Sequence, residues 1–314
     1  RHTRCQPVTG VQTCALPMSY IRKRCRKRCP RRRPLWPVRI FPMNLPMNPP
    51  LLEVRGLDLT LGGRCILDGL SFSVRRGDFV AIVGPNGAGK SSLLRCLGGL
   101  CRSFSGAVLL EGRSVVSLSA RAIARRIAWV HQNGDGNLSF TVEEFVRMSR
   151  FPWRDALSGW TREDERAVNE ALYVAGAEAF TPCPMGALSG GERQRAFIAA
   201  ALAQGTDVLF LDEPLSSLDY LHQAEILELM ERIGGEREIT VLMVTHDINA
   251  ALSAADRVLA LRDGRICHEG PSRDFWDASI LGEVFGTDFR SFLGAGQTVP
   301  FIAPAVNQDR KCVV

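Results

Sequence analysis

The chain of 314 residues carries 39 lysines and arginines against 33 aspartates and glutamates, a formal net charge of +6, with 46% hydrophobic and 23% charged residues. That length accommodates one large or two ordinary domains with an ample core, and the composition excludes wholesale disorder and collagen-like repeats. The longest obvious apolar run, 196–203, falls far short of the ~18 residues of a membrane helix, so a membrane role would leave the spanning to another chain.

The charge is uneven. Residues 1–42 hold 12 of the 39 bases and no acid, which leaves 27 bases against 33 acids elsewhere, a net of −6. Such an arm suggests nucleic acid, anionic lipid or an import signal, with a solvated, proline-broken tail as the plain alternative. However, Val8-Thr9-Gly10-Val11-Gln12-Thr13-Cys14-Ala15-Leu16-Pro17 looks like the translation of a common sequencing-adapter oligonucleotide, although Met18 stands where its next codon usually gives isoleucine. Residues 1–46 are therefore expected to be a non-native or disordered basic arm, ending near Met43 or Met47, and are set aside from fold reasoning. Of the ten cysteines, Cys5, Cys14, Cys25 and Cys29 lie in this arm. The other six, Cys65, Cys96, Cys101, Cys183, Cys267 and Cys312, have no C-x-x-C spacing, and reduced structural thiols are expected rather than a zinc site or disulfides.

Two near-alternating apolar stretches, 51–54 and 57–61, open the body, followed by a Gly62-Gly63 turn and a strand over 66–74. They predict a half-exposed antiparallel sheet. Phe79–Val83 is a continuous apolar run, as expected of a strand covered on both faces. Directly after it, Gly84-Pro85-Asn86-Gly87-Ala88-Gly89-Lys90-Ser91 fits G-x-x-x-x-G-K-[ST]. Glycines let the backbone wrap a phosphate with its N–H groups inward, and a helix starting near Lys90 offers its positive end. Lys90 would reach the β- and γ-phosphates and Ser91 would ligate Mg2+.

From about 133 to 188 the apolar spacing turns helical (Val142, Phe145, Val146, then Ala167, Val168, Ala171, Leu172), and Thr161 with Asp164 resembles a capping pair. We read an inserted helical subdomain over 133–188, between core segments 47–132 and 189–314. Leu188-Ser189-Gly190-Gly191-Glu192-Arg193-Gln194-Arg195 opens an apolar helix whose free N–H groups and hydroxyl make an anion site, or simply a capped start. Val208-Leu209-Phe210-Leu211 then delivers Asp212 and Glu213 to the carboxyl end of a buried strand, where ligands bind in open α/β sheets. Asp212 would hold Mg2+ and Glu213 would polarise a water for attack on the γ-phosphate. A helical pattern over 221–233 and a buried strand at 240–244 follow. Buried strands alternating with helices read as an α/β fold with a parallel central sheet.

Together the three motifs resemble the ATP-binding cassette (ABC) ATPases over about 51–303. The resemblance implies a P-loop NTPase with a RecA-like core, an antiparallel β subdomain and the inserted helices. It implies further roles, position by position. Gln132, after Ile127-Ala128-Trp129-Val130-His131, is similar to the glutamine that touches Mg2+ and the attacking water. Ser217-Leu218-Asp219 resembles the loop that crosses a dimer interface. His246, in Val244-Thr245-His246-Asp247, resembles the switch histidine at the γ-phosphate. The ATP-binding set would be Gly84 to Ser91 with Ser92, and Leu61 would stand where the family usually stacks an aromatic on adenine. Leu215-Ser216-Ser217 likewise replaces a more usual threonine-led sequence.

Two copies would sandwich two ATP molecules, each between one copy's phosphate loop and the other's Ser189 corner, and a membrane permease would dock near 132–152. Segments 140–152, 217–223 (with its His222-Gln223 pair) and 281–290 are similar to those of importers of iron–siderophore complexes, haem and cobalamin. That implies a peripheral ATPase on the cytoplasmic face of the bacterial inner membrane, served indirectly by a periplasmic or extracellular substrate-binding protein, with no nucleic acid expected. The alternatives are an exporter cassette, or a soluble ABC ATPase acting on nucleic acid or ribosomes through the basic arm.

Overall fold

The structure is a computed structural model that describes residues 49–131, 139–155, 159–216, 218–237, 239–294 and 299–305. The basic arm, Gln132 and Ser217 therefore lie outside the described residues. Strands β1 (Leu52–Leu61) and β2 (Arg64–Val74) pair antiparallel through a two-residue turn in which Gly62 and Gly63 take φ of 56° and 78°. Positive φ at both positions is what this tight hairpin requires, so two glycines are the natural choice. The stretches 51–54 and 57–61 form one strand rather than two. Gly56, at φ 54°, introduces an irregularity between them, and its N–H is capped by Ser71 Oγ at 2.8 Å. β4 (Ser105–Leu110) and β5 (Arg113–Ser114) complete a four-stranded sheet in the order β2-β1-β4-β5.

A six-stranded sheet forms the centre. It contains β3 (Phe79–Val83), β6 (Ile127–Val130), β7 (Val208–Asp212), β8 (Thr240–Val244), β9 (Arg257–Arg262) and β10 (Arg265–Pro271), in the order β10-β9-β3-β8-β7-β6. All neighbours are parallel except the antiparallel edge β10. Every residue of β3, β7 and β8 is buried, because layers cover both faces. The two-residue strand period divides each strand between two cores. Val80, Ile82, Val208, Phe210, Leu242 and Val244 face the antiparallel sheet and α1 (Lys90–Leu97). Phe79, Ala81, Val83, Leu209, Leu211, Val241 and Met243 face the helices on the other side.

α2 (Ala120–Ala124) precedes β6 and packs Ile123 into the first core, while α3 (Val142–Met148), α4 (Arg162–Ala175) and α5 (Gly190–Gln204) follow β6 and belong to the second layer. The only β-pairing among described residues 139–188 is the single bridge between Thr141 and Pro184. Thr161 and Asp164 close a reciprocal capping box at the start of α4. This helical segment is pinned to the far end of α5 by polar contacts, those of Arg150 buried. Arg150 Nε donates to Asp164 Oδ1 and its Nη1 to the Ala203 carbonyl, each at 2.9 Å, while Trp153 Nε1 donates to the Gln204 carbonyl at 2.6 Å. The chain finishes with α6 (Tyr220–Arg237), α7 (Ile248–Ala254), α8 (Ala278–Phe285) and the hairpin β11 (Phe289–Phe292)–β12 (Phe301–Pro304). Among the described residues no helix is long and apolar enough to cross a membrane.

Candidate active site

Parallel register brings the carboxyl ends of three strands together. β3 runs into the glycine-rich loop, β7 ends at Asp212, and β8, paired in parallel with both, ends beside them. Thr245 N–H donates to the Ile82 carbonyl at 3.1 Å and Glu213 N–H to the Val244 carbonyl at 2.9 Å, so the strand ends remain stitched past the sheet. The convergence is where an open parallel sheet receives ligands.

The loop's glycines serve different purposes. Gly84 (φ 144°) lies so close to the Leu261 carbonyl that a Cβ would collide with it. Gly89 (φ 99°) is backed by β2, where a Cβ would come within 2.7 Å of Leu67 and 2.8 Å of the Ile66 carbonyl. Gly87 (φ 84°) faces open space, with nothing within 4 Å of a built Cβ. The loop is thus walled on one side by β2 and β9 and open on the other. Pro85 accepts from Ala88 N–H at 3.2 Å, Ala88 is buried and Asn86 is exposed. Gly89, in the left-handed conformation, provides no side-chain cap to α1, which leaves the first-turn N–H groups of Lys90, Ser91 and Ser92 at the loop.

Lys90 is 7% exposed and turns back into the loop, donating from Nζ to the carbonyls of Gly84 at 2.8 Å and Pro85 at 3.1 Å. Burial pushes its ammonium below the usual lysine range, against the pull of Glu213 and Asp212. Ser91 Oγ donates to Asp212 Oδ1 at 3.0 Å, so the loop hydroxyl and the strand-end carboxylate predicted to share a metal already meet.

Glu213 has φ 53°, a left-handed backbone that costs a β-carbon-bearing residue about 1–2 kcal/mol. The carboxylate is largely buried at 11% side-chain exposure, and its Oε2 lies 2.7 Å from His246 Nδ1. His131, at the end of β6, escaped the sequence analysis as a site residue. Its ring stacks on Trp129 at 4.8 Å, and burial lowers its pKa, with Asp212 opposing and Arg95 reinforcing the shift. The signal available for it was its position at a buried strand's carboxyl end.

Other predicted residues sit apart from this cluster. Leu61 is 47% exposed at the tip of the β1–β2 hairpin, whose second strand backs the loop at Ile66 and Leu67. Leu188 is buried ahead of α5. Ser189 caps α5 in a reciprocal box with Glu192: its N–H donates to Glu192 Oε2 at 2.9 Å and its Oγ accepts from Glu192 N–H at 3.4 Å. The Ser189 backbone N–H foremost holds the Glu192 carboxyl below its ordinary range. Gly190 and Gly191 open the helix, and the described neighbours of this corner lie at the start of α6, through His222, rather than at the phosphate loop. Leu218 and Asp219 precede α6, and Asp219 Oδ1 accepts from His222 N–H at 2.9 Å.

The chain as a whole is similar to known proteins. The ABC transporter family profile matches residues 67–216. The chain is 38% identical over 237 residues to the iron(3+)-hydroxamate import ATP-binding protein of Bacillus subtilis, covering 76% of this chain and 88% of that one. The chain belongs to the ABC transporter family. This ABC ATPase hydrolyses ATP. It is also 37% identical over 242 residues to the ferric enterobactin transport ATP-binding protein of Escherichia coli (76% and 89% covered). With the hemin import ATP-binding protein of Streptomyces coelicolor it shares 41% over 260 residues (81% and 91% covered). A dimeric ATP-binding cassette bound to ADP and phosphate superposes with a TM-score of 0.62 at 29% identity, covering 70% of this chain and 98% of that one. A metal-chelate-type ABC transporter in an inward-facing conformation shares the fold at TM-score 0.72 and 24% identity, with 82% and 98% covered.

Proposed function

We propose that this ABC ATPase powers uptake of a metal chelate, an iron–siderophore, haem or cobalamin complex, through a separate membrane permease. The carrying observation is that relatives aligned over three quarters of this chain are named for import of iron–hydroxamate and hemin and for transport of ferric enterobactin. Two copies act as an ATP sandwich on the cytoplasmic face of the bacterial inner membrane, a chelate-loaded binding protein engages the permease outside, and the permease docks around 132–152. Exposed Phe140, Met148 and Phe151 in that segment support such docking.

The residues present fit nucleotide and Mg2+. The open side of the loop, the uncapped N–H groups of α1 and the buried Lys90 ammonium suit β- and γ-phosphates. Ser91 Oγ and Asp212 Oδ1 are hard oxygen donors within one hydrogen bond of each other, the donor class Mg2+ takes, with Gln132 as the third protein group. When bound, the ion neutralises charge on the phosphate oxygens. Lys90 leaves the Gly84 and Pro85 carbonyls to take the phosphates. Glu213 accepts the proton of the water that attacks the γ-phosphorus, and His246 Nδ1 holds one carboxylate oxygen so that the other faces the water. Glu192 sustains Ser189 and Gly190–Gly191 as the corner offered to the other copy's nucleotide, and Ser217-Leu218-Asp219 crosses between copies.

Glu213→Gln should keep ATP affinity and lose nearly all turnover; near-normal hydrolysis would remove Glu213 as the base. Reconstitution with the permease tests the cargo. Stimulation by a chelate-loaded binding protein is expected, and no stimulation by any siderophore, haem or cobalamin complex would defeat the import reading.

A further inference from the structure

The His222-Gln223 pair, similar to that of chelate importers, has no part in the chemistry just described, yet the structure gives both side chains definite work. Gln223 Nε2 turns back and donates to the carbonyls of Leu215 at 3.3 Å and Leu218 at 3.1 Å, bracing the loop ahead of α6. His222 reaches two ways. Its Nδ1 lies 2.8 Å from Asp219 Oδ1, an oxygen that also accepts from the His222 N–H. The Cγ–Cδ2–Nε2 side of the ring faces Gly191 on α5, so closely that a Cβ on Gly191 would collide with Cδ2 and come within 2.6 Å of Cγ. The same imidazole is near enough to Glu192 to add to the lowering of that carboxyl, behind the larger effect of the Ser189 N–H.

Gly191 therefore lacks a side chain for a local reason. A glycine within a helix costs about 1 kcal/mol relative to alanine, and here the space that an alanine methyl needs is filled by the imidazole. One side chain joins two parts of the chain that are 28 residues apart, counting from Gly191 to Asp219. Beside it, Tyr220 and Leu221 are 91% and 68% exposed, so the joint sits at a surface that presents apolar groups outward.

We propose that His222 is a positioning residue that clamps Leu218-Asp219 to the Ser189–Glu192 corner of the same chain, so that both surfaces offered to the second copy move as one piece. This rests on the ATP-sandwich reading given above. A histidine suits the task because Nδ1 is anchored by Asp219 while the Cδ2 side of the same ring meets the glycine. Leu218-Asp219 and the Ser189–Glu192 corner would then close on the two nucleotides together instead of one after the other.

The test uses the full chain carrying Glu213→Gln, in which ATP accumulates without turnover, and follows ATP-driven self-association by sedimentation. Adding His222→Ala should weaken association about fivefold, the loss of one charge-assisted hydrogen bond and its packing, while nucleotide affinity of the dilute single chain stays unchanged. His222→Asn, which keeps a nitrogen near the Nδ1 position, should recover part of the loss. Gly191→Ala should weaken association more than His222→Ala does. The collision gives the decisive sign: in urea unfolding, Gly191→Ala should destabilise the chain that has His222 and stabilise the chain that has His222→Ala. Unchanged association in His222→Ala, or equal effects of Gly191→Ala in both backgrounds, would overturn the clamp. If the Glu213→Gln parent fails to associate with ATP, the sandwich reading falls by itself, and the urea comparison still decides whether His222 fills the space at Gly191.

Discussion

The joint between the helical segment and α5 allows a quantitative prediction. Arg150 and Asp164 are 5% and 3% exposed, and Arg150 also satisfies the Ala203 carbonyl in the last turn of α5. Arg150→Met keeps the length and apolar stem of the side chain but removes both hydrogen bonds. Asp164 would then be a buried carboxylate that accepts from the Thr161 N–H and hydroxyl alone, and the Ala203 carbonyl would lose its donor. Breaking one partner of such a buried pair costs about 3–5 kcal/mol, far above the ~0–1 kcal/mol of exposed pairs such as Arg147 with Glu143. The cost must also depend on pH. Burial works to raise the Asp164 pKa, but hydrogen bonds from Thr161 and Arg150 outweigh it and hold the folded carboxyl below the ordinary range. A carboxyl depressed in the folded state contributes stability above its unfolded pKa, about 3.9 for aspartate, and loses it as the pH falls through the folded value. Urea unfolding of wild type and Arg150→Met should therefore show the full gap at pH 7 and a gap that narrows as the pH falls, beginning where the variant's Asp164, no longer held down by Arg150, takes up its proton. A difference under ~1 kcal/mol at pH 7, or one independent of pH, would refute the assignment of the energy to this pair.

Gly84→Ala should destabilise the fold, since the added carbon meets the Leu261 backbone, whereas Gly87→Ala meets nothing in the free chain and should cost the fold only the left-handed penalty of about 1–2 kcal/mol; thermal melts without nucleotide separate them. His246→Ala should lower turnover at least tenfold with ATP affinity within about threefold, because it frees Glu213 without touching the phosphate loop; a parallel loss of affinity would contradict this. Asn249→Leu should cost about 1–3 kcal/mol and speed amide exchange in β12, because Asn249 pairs with both backbone groups of Ile302 at 3.0 and 2.7 Å. Glu213→Asn should melt higher than Glu213→Gln, since asparagine tolerates positive φ better; an equal or lower melting temperature would argue against strain at this position.

The buried strands were legible because five consecutive apolar residues, as in Phe79–Val83, have few other homes. The phosphate loop was legible because its glycines, lysine and serine all answer to one ligand at fixed spacing. Much else depends on partners distant in sequence. The antiparallel edge β9–β10 turns at Asp263-Gly264, a recognisable hairpin pair, but nothing local says which sheet receives it. The β11–β12 hairpin is short and largely exposed, and it is tied to the core by Asn249, some fifty positions away. The packing of His222 on Gly191 was equally invisible. A Ser-Gly-Gly corner explains itself locally as a helix start, and only the fold brings α6 against it.

Among the described residues, three other than glycine have positive φ: Glu111, Glu213 and Asp263, at 51°, 53° and 50°. Two are explained by their surroundings. Glu111-Gly112 and Asp263-Gly264 each form the two-residue loop of a hairpin, with Leu110 paired to Arg113 and Arg262 paired to Arg265, where such backbone is the rule. Glu213 has no hairpin and no following glycine; Pro214 comes next. Its backbone N–H is tied to Val244 and its carboxylate to His246, so two strands hold it in a conformation the residue itself disfavours. Strain that local structure does not require persists only where the surroundings over-determine it, and here they aim a carboxylate at the mouth of the phosphate loop. Among the described residues, the one positive φ outside glycine that no hairpin requires is thus at the residue proposed as the base.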